Sequence, residues 1–188
     1  MNIANIKSKF PVFKKNPNLV FLDTAASALK VDEMIDATNN CYTNEYANIH
    51  RGNYELSSKL TKKFEDARIK VADYLNVSSN NIIFVKSATE GVNLVASCMT
   101  KKFFNDGDEI ILSYLEHHAN LIPWHLSNKK IKIIPLNLNE NLEIIYEELI
   151  DKINSKTKLI TLTHMSNVTG AITNTDKIKE LANKNNIP

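Results

Sequence analysis

Three short polar clusters hold the residue types that could do chemistry in this chain. The first, Ser87-Ala88-Thr89-Glu90, follows the apolar run Ile82-Ile83-Phe84-Val85 and precedes the helix-like Val92-Asn93-Leu94-Val95-Ala96. A strand that turns through small and hydroxylic residues into a helix leaves free N–H groups where partial positive charge collects, a seat for an anion. Ser87 or Thr89 acting as a plain N-cap accounts for the same residues without a ligand. The second cluster, Glu116-His117-His118-Ala119-Asn120, sets two imidazoles side by side. They diverge in an extended segment and sit about 100° apart on a helix, which disfavours joint chelation of one metal, and no His-Glu-x-x-His spacing occurs. One such ring can lie flat on a planar ligand or move a proton near neutral pH. His118, His125 and His164 read equally well as loop histidines bonded to backbone. The third cluster, His164-Met165-Ser166-Asn167, offers a carboxamide that both donates and accepts, suited to a phenolic oxygen or a carboxylate; before Gly170 it also reads as a turn former. An anion seat, a flat ring and an amide suit a phosphorylated aromatic cofactor. A nucleotide meets the same requirements, although neither Gly-x-x-x-x-Gly-Lys nor Gly-x-Gly-x-x-Gly is present.

Elements that could bring the clusters together follow from the apolar periodicity. Strands are expected at Ile82 to Val85, Glu109 to Leu112, Ile131 to Leu136 and Leu159 to Thr163, and helices at Thr89 to Thr100, Asn120 to Ser127, Leu142 to Ile153 and Thr175 to Asn183. Such alternation implies crossover connections and a mostly parallel sheet with helices on its faces. In open sheets of that kind the ligand sits beyond the carboxyl ends of the strands, where all three clusters fall.

The region before Ile82 has a different period. Met1 to Lys9 predicts a short amphipathic helix through Ile3, Ile6 and Phe10, ended by Pro11, and Leu19 to Leu22 a brief strand. Asp23-Thr24-Ala25-Ala26-Ser27-Ala28 cannot fill a core; it permits close backbone approach or lines a cavity. Met34, Ile35, Thr38, Cys41 and Tyr42 recur at helical spacing. Asn48-Ile49-His50-Arg51-Gly52 then breaks the pattern before a helix capped by Ser57 or Ser58, with Leu60, Phe64, Ala67, Val71 and Leu75 on one stripe.

Composition narrows the classes. With 188 residues, 43% of them hydrophobic, the chain can bury a sizeable core as one domain or a large piece of one. A net charge of +2 gives no electrostatic case for nucleic acid or an anionic membrane. Cys41 and Cys98 lack Cys-x-x-Cys spacing and flank apolar residues, so small buried hydrophobes are expected rather than a zinc ribbon or disulfide. No signal-like core and no run of 18 apolar residues appears; a soluble, cytoplasmic protein is expected.

Five blocks carry a resemblance. Leu22-Asp23-Thr24-Ala25-Ala26-Ser27-Ala28, Ile49-His50-Arg51-Gly52, Ala88 to Ala96, Glu116-His117-His118-Ala119-Asn120-Leu121-Ile122-Pro123-Trp124 and Thr163 to Gly170, in that order, resemble the Suf-type (group II) cysteine desulfurases of the class V aminotransferase superfamily. The resemblance implies an α/β fold, the fold type I large domain of pyridoxal-phosphate enzymes, in which residues 1–20 form an N-terminal arm or helix and residues 21–188 the N-terminal part of the cofactor-binding domain, the C-terminal remainder being absent. It implies removal of sulfur from L-cysteine, giving alanine and an enzyme persulfide for iron–sulfur cluster assembly, with a sulfur-acceptor protein as partner and a homodimer at full length. Carried over by motif, Thr89, with Ala88 and nearby backbone, holds the pyridoxal 5'-phosphate phosphate, His117 stacks on the pyridine ring with possible proton transfer, and Asn167 serves ring hydroxyl and substrate carboxylate. Ala26, His50 and Arg51 lie toward the substrate or the partner subunit. Ala88 stands where many relatives carry a second threonine, a loss of about 1 kcal/mol of phosphate contact. The family's Ser-x-His-Lys segment with its aldimine lysine, and its persulfide cysteine, are not in residues 1–188, and Cys41 and Cys98 match neither role. A chain lacking them is expected to be inactive alone. The same blocks leave open another class V enzyme such as a selenocysteine lyase, or a non-catalytic fragment or half of a split protein.

Overall fold

The computed structural model describes residues 3–188, with side chains from Asn5 onward. Two compact units divide the chain, Met1–Ile83 and Phe84–Pro188.

The first unit is helical: α1 (Ile3–Lys7), α2 (Pro11–Lys15), α3 (Asp32–Asn40) and α4 (Glu55–Leu75). Met1 and Asn2 lie outside the described residues. Pro11 opens α2 as well as closing the first helix, because its missing N–H is wanted nowhere at a first helical position. Leu19 to Leu22 forms no strand; Val20 and Leu22 are exposed, and no described strand runs beside them to accept a ladder. The spacing through Cys41 and Tyr42 is helical as expected, but its last five residues, Cys41–Glu45, wind as a π-turn. In α4 the expected cap is corrected. Tyr54 is the N-cap residue and Ser57 sits inside the first turn, its hydroxyl donating to the Asn48 carbonyl at 2.6 Å. The covered track runs through buried Ser57 and Ala72 and half-buried Leu60, Phe64 and Arg68, whereas Ala67, Val71 and Leu75 of the expected stripe are exposed. Arg68 donates to the Ile82 carbonyl, and Asn76 ends the helix in the left-handed conformation that an Asn tolerates.

The second unit follows the expected alternation: α5 (Ala88–Lys102), β1 (Glu109–Ser113), α6 (Ile122–His125), β2 (Lys132–Leu136), α7 (Tyr146–Lys152), β3 (Thr157–Ile160) and α8 (Thr175–Lys184). The strands pair parallel in the order β2-β1-β3. Strand β1 is central and buried on both faces, as parallel strands between helical layers are. Period-2 alternation splits its side chains. Ile110 and Leu112 pack with Ala96 of α5, Trp124 of α6, Phe104 and Leu159. Ile111 packs on the other face with Leu136 and with Leu149 of α7, flanked by Ile178 and Leu181 of α8. Helices therefore cover both faces of a parallel sheet, the α/β fold class expected.

Three element expectations are corrected. Ile82 to Val85 pairs with no described strand, and Ile83 is 70% exposed; apolar β-branched residues favour extension, but a strand exists only where a neighbour shares its hydrogen bonds. The helix expected from Asn120 breaks into a 3₁₀ turn at His118–Asn120 and the short α6, since Pro123 cannot donate back across the break. Leu142 has φ +62°, and Ile144 bridges antiparallel to Leu138, which delays α7 to Tyr146. Of the cysteines, Cys41 is half-buried, whereas Cys98 lies on the exposed face of α5 and is no core residue. Among the described residues no helix is long and apolar enough to cross a membrane.

Candidate functional site

A cleft of about 410 Å³ opens beyond the carboxyl ends of all three strands, lined by Tyr114 to His118 after β1, Leu138 after β2 and Ser166 to Thr169 after β3. Its position is the one that parallel strand geometry reserves for ligands, and its size lies in the range of small-molecule sites. It brings His117 and Asn167 to one surface, though they stand fifty positions apart in the sequence.

His117 heads the 3₁₀ turn that follows β1. Its Nδ1 accepts the Ala119 N–H at 3.0 Å, and its carbonyl accepts the Asn120 N–H at 2.8 Å. A ring whose Nδ1 is an acceptor carries its neutral-state proton on Nε2, so Nε2–H is the donor that remains. The backbone bond considered for the loop histidines thus belongs to His117, and it orients the ring without using its face. His118 lies 6.2 Å away between ring centroids, tilted by 51°, a geometry for two separate rings rather than a chelate. Among the described residues no group of three or more His, Cys, Asp or Glu could hold a metal ion.

Asn167 stands at the tip of a turn closed by the antiparallel bridge between Met165 and Ile172. Buried Ser166 builds the turn: its hydroxyl accepts the N–H groups of Val168 and Thr169 at 3.3 and 3.2 Å, and Gly170 takes φ +74°. The carboxamide of Asn167 is exposed and keeps donor and acceptor available. Ser166 has no separate role in the sequence reading; the signal that could have found it is a Ser two and three residues before backbone N–H groups in a Gly-closed turn.

Glu116 is the other residue that pattern reading missed. Its Oε1 accepts the Ser113 hydroxyl and the Thr163 N–H, each at 2.8 Å, and its Oε2 accepts the Asn120 amide at 2.7 Å. Asn120 Oδ1 in turn accepts the Thr161 hydroxyl at 2.9 Å and the Trp124 indole N–H at 3.4 Å. Near the same strand ends, on α7, Glu148 is held down to about pKa 2, first by its hydrogen bond from Lys152 and then by the side chain and N–H of Asn137.

The cluster at the start of α5 is arranged as a helix cap. Ser87 Oγ accepts the Glu90 N–H at 3.2 Å, and Glu90 Oε2 accepts the N–H of Lys86, the residue before the N-cap, at 2.6 Å, a variant of the capping box. The first two helical residues, Ala88 and Thr89, still have N–H groups that no intrahelical acceptor can reach, and Ser87 keeps its hydroxyl proton. These residues are not in the lining of the cleft that holds His117 and Asn167.

Ala26, His50 and Arg51 belong to the first unit. Ala26 is exposed in a turn, its N–H bonded to the Asp23 carbonyl. His50 has φ +69°; its N–H is held by Thr61 Oγ1 at 2.9 Å and its Nε2 lies 3.5 Å from Glu65. Arg51 is exposed.

Comparison with known proteins adds to this geometry. The family described as Aminotransferase class-V matches residues 20–188. A cysteine desulfurase SufS of Plasmodium falciparum is 40% identical over 181 residues, covering 93% of this chain and 33% of that relative. The apo structure of a cysteine desulfurase from Thermococcus onnurineus superposes with a TM-score of 0.91 at 26% identity, covering all of this chain and 46% of that one. The Escherichia coli cysteine desulfurase CsdA, in an S-sulfonic acid form, gives 0.86 at 33% identity over 100% and 47% of the two chains. The chain spans less than half the length of each of these three relatives.

Proposed function

Because this chain belongs to the class V aminotransferase family, we propose that it is the cofactor-facing portion of a pyridoxal-phosphate-dependent cysteine desulfurase. The observation that carries the reading is the convergence of His117 and Asn167 on one cleft beyond the ends of three parallel strands. The residues fit the group on chemistry. The cleft wall offers a flat, backbone-oriented imidazole and an unengaged carboxamide, and the unit also offers a helix start with two spare N–H groups and the Thr89 hydroxyl. When bound, pyridoxal phosphate supplies an electron sink for bond cleavage at the substrate amino acid. In this reading Thr89, the N–H of Ala88 and the dipole of α5 bind the phosphate. His117 lies on the ring and handles a proton at Nε2. Asn167 orients the ring oxygen and the substrate carboxylate. Glu90, already seated at the helix start, leaves room for only part of the usual anion attraction there, and Ala88 withholds a second hydroxyl.

The substrate in this reading is L-cysteine, with Ala26, His50 and Arg51 serving the substrate or the partner subunit. Sulfur passes to an acceptor protein of iron–sulfur assembly, and the full-length enzyme is a cytoplasmic homodimer. Likeness to the Plasmodium SufS and to the two solved cysteine desulfurases supports the cysteine-desulfurase reading. Residues 1–188 contain no Ser-x-His-Lys segment, so this chain alone is expected to bind cofactor reversibly and to release no alanine from cysteine. Equilibrium dialysis with pyridoxal 5'-phosphate tests this. The expected result is binding that His117→Ala or Asn167→Ala weakens several-fold and Thr89→Val weakens about fivefold, one hydrogen bond of ~1 kcal/mol. Binding unaffected by all three substitutions, or alanine formation by the chain alone, would overturn the proposal.

A further inference from the structure

Glu116 sits next to His117 in the sequence and lines the same cleft, but both its carboxylate oxygens are spent on protein donors. Those donors come from three places. Ser113 is the last residue of β1, Thr163 lies between β3 and the turn of Asn167, and Asn120 closes the 3₁₀ turn begun after His117. Asn120 extends the connection to Thr161 and Trp124. The indole N–H can only donate, so it fixes Oδ1 of Asn120 toward Trp124 and Nδ2 toward Glu116. One carboxylate therefore ties the exit of β1 to the exit of β3 at the level where the cleft begins. We propose that Glu116 is a positioning residue, holding the His117 ring and the Asn167-bearing loop in one arrangement across the cleft. The consequence for catalysis rests on the functional reading above; the clamp itself does not.

The geometry makes a substitution of nearly the same shape informative. A glutamine at position 116 has one acceptor oxygen where three donors arrive from two sides, and its amide would face either the Asn120 amide or the Thr163 N–H, donor against donor. Adding Asn120→Asp reverses the polarity of the link. The new amide at position 116 then donates to the new carboxylate at position 120, which still accepts from Trp124 and Thr161. Pattern reading of the sequence has no access to this pairing, since Thr161 and Thr163 lie 41 and 47 positions from the Asn120 and Glu116 they bond.

The test is nuclear magnetic resonance of the 188-residue chain with ¹⁵N-labelled histidine, together with amide exchange. In the wild-type chain His117 should show the Nε2–H tautomer, with protected Ala119 and Thr163 amides. Glu116→Gln should mix the tautomers and speed exchange at Ala119 and Thr163 at least tenfold while Ile110 and Ile111 stay protected. Combining Glu116→Gln with Asn120→Asp should restore both readouts, whether or not the single variant folds. Ser113→Ala, which spares the bonds to Thr163 and Asn120, should leave His117 as in the wild type. A Glu116→Gln chain with an unchanged His117 tautomer and unchanged exchange overturns the proposal. So does a double variant without recovery, or a Ser113→Ala chain as disturbed as Glu116→Gln. No readout requires cofactor, so a wild-type chain that fails to bind pyridoxal phosphate counts against the proposed function and leaves this result intact.

Discussion

Gly52 closes the His50-Arg51 loop against α4 with no room for a side chain, and Gly52→Ala measures how tightly. A Cβ there would stand 2.2 Å from Ser57 Oγ, 2.5 Å from Ser57 Cβ and 3.0 Å from the Tyr54 ring. Ser57 is 1% exposed and bonded to the Asn48 carbonyl. Rotating its hydroxyl aside forfeits that bond, a net ~1 kcal/mol. Its Cβ cannot rotate aside, so the loop backbone must shift, an overpacking cost of about 1–3 kcal/mol. Reduced freedom of the unfolded chain returns roughly 0.4–1 kcal/mol, which leaves a destabilisation of about 2–3 kcal/mol. Ser57→Gly removes both clashing atoms and should cost about 2 kcal/mol through the lost bond and the glycine in a helix. The double variant should then cost little more than Ser57→Gly alone. Urea unfolding followed by circular dichroism gives all three values. Additivity within ~0.5 kcal/mol, or a Gly52→Ala cost below that figure, would refute the steric argument.

Other outcomes follow from the same geometry. Glu148 has its carboxyl held down to about pKa 2 by Lys152 and Asn137, from an ordinary value of 4.5, so the stability it contributes is present above the ordinary value and lost as pH falls toward 2. Glu148→Gln should therefore lower the melting temperature at pH 6 to 7, with the difference from wild type shrinking below about pH 4.5 and vanishing near pH 2; a gap independent of pH would contradict the assignment. Ser166→Ala removes the acceptor of two N–H groups in the Asn167 turn and should cost about 1 kcal/mol, because both amides can turn to water. Amide exchange should quicken at Val168 and Thr169 while Ile111 is unchanged, and unaltered exchange at these two amides would remove Ser166 from the turn's support.

The parallel arrangement of the sheet, its helical cover and the placement of two polar clusters at strand ends were legible because apolar periodicity and turn residues are local properties. Ile110, Ile111 and Leu112 announce a strand buried on both faces by their type alone. Two of the failures share a cause. Ile82 to Val85 carries every local mark of a strand, yet a strand is a relation between two segments, and no described strand pairs with it. Ser57 reads as a cap until the Asn48 carbonyl claims its hydroxyl.

Residue types and their spacing were enough for the alternating α/β architecture, the candidate pair His117 and Asn167, and the family blocks that contain them. Packing settled which clusters meet. It placed His117 and Asn167 on one cleft, left Ala88 and Thr89 as a capped helix start outside its lining, and revealed Glu116 as the tie between two strand ends. Side-chain type and spacing are written along the chain, but a hydrogen bond between Glu116 and Thr163 depends on where the sheet brings two distant loops, which is settled by packing.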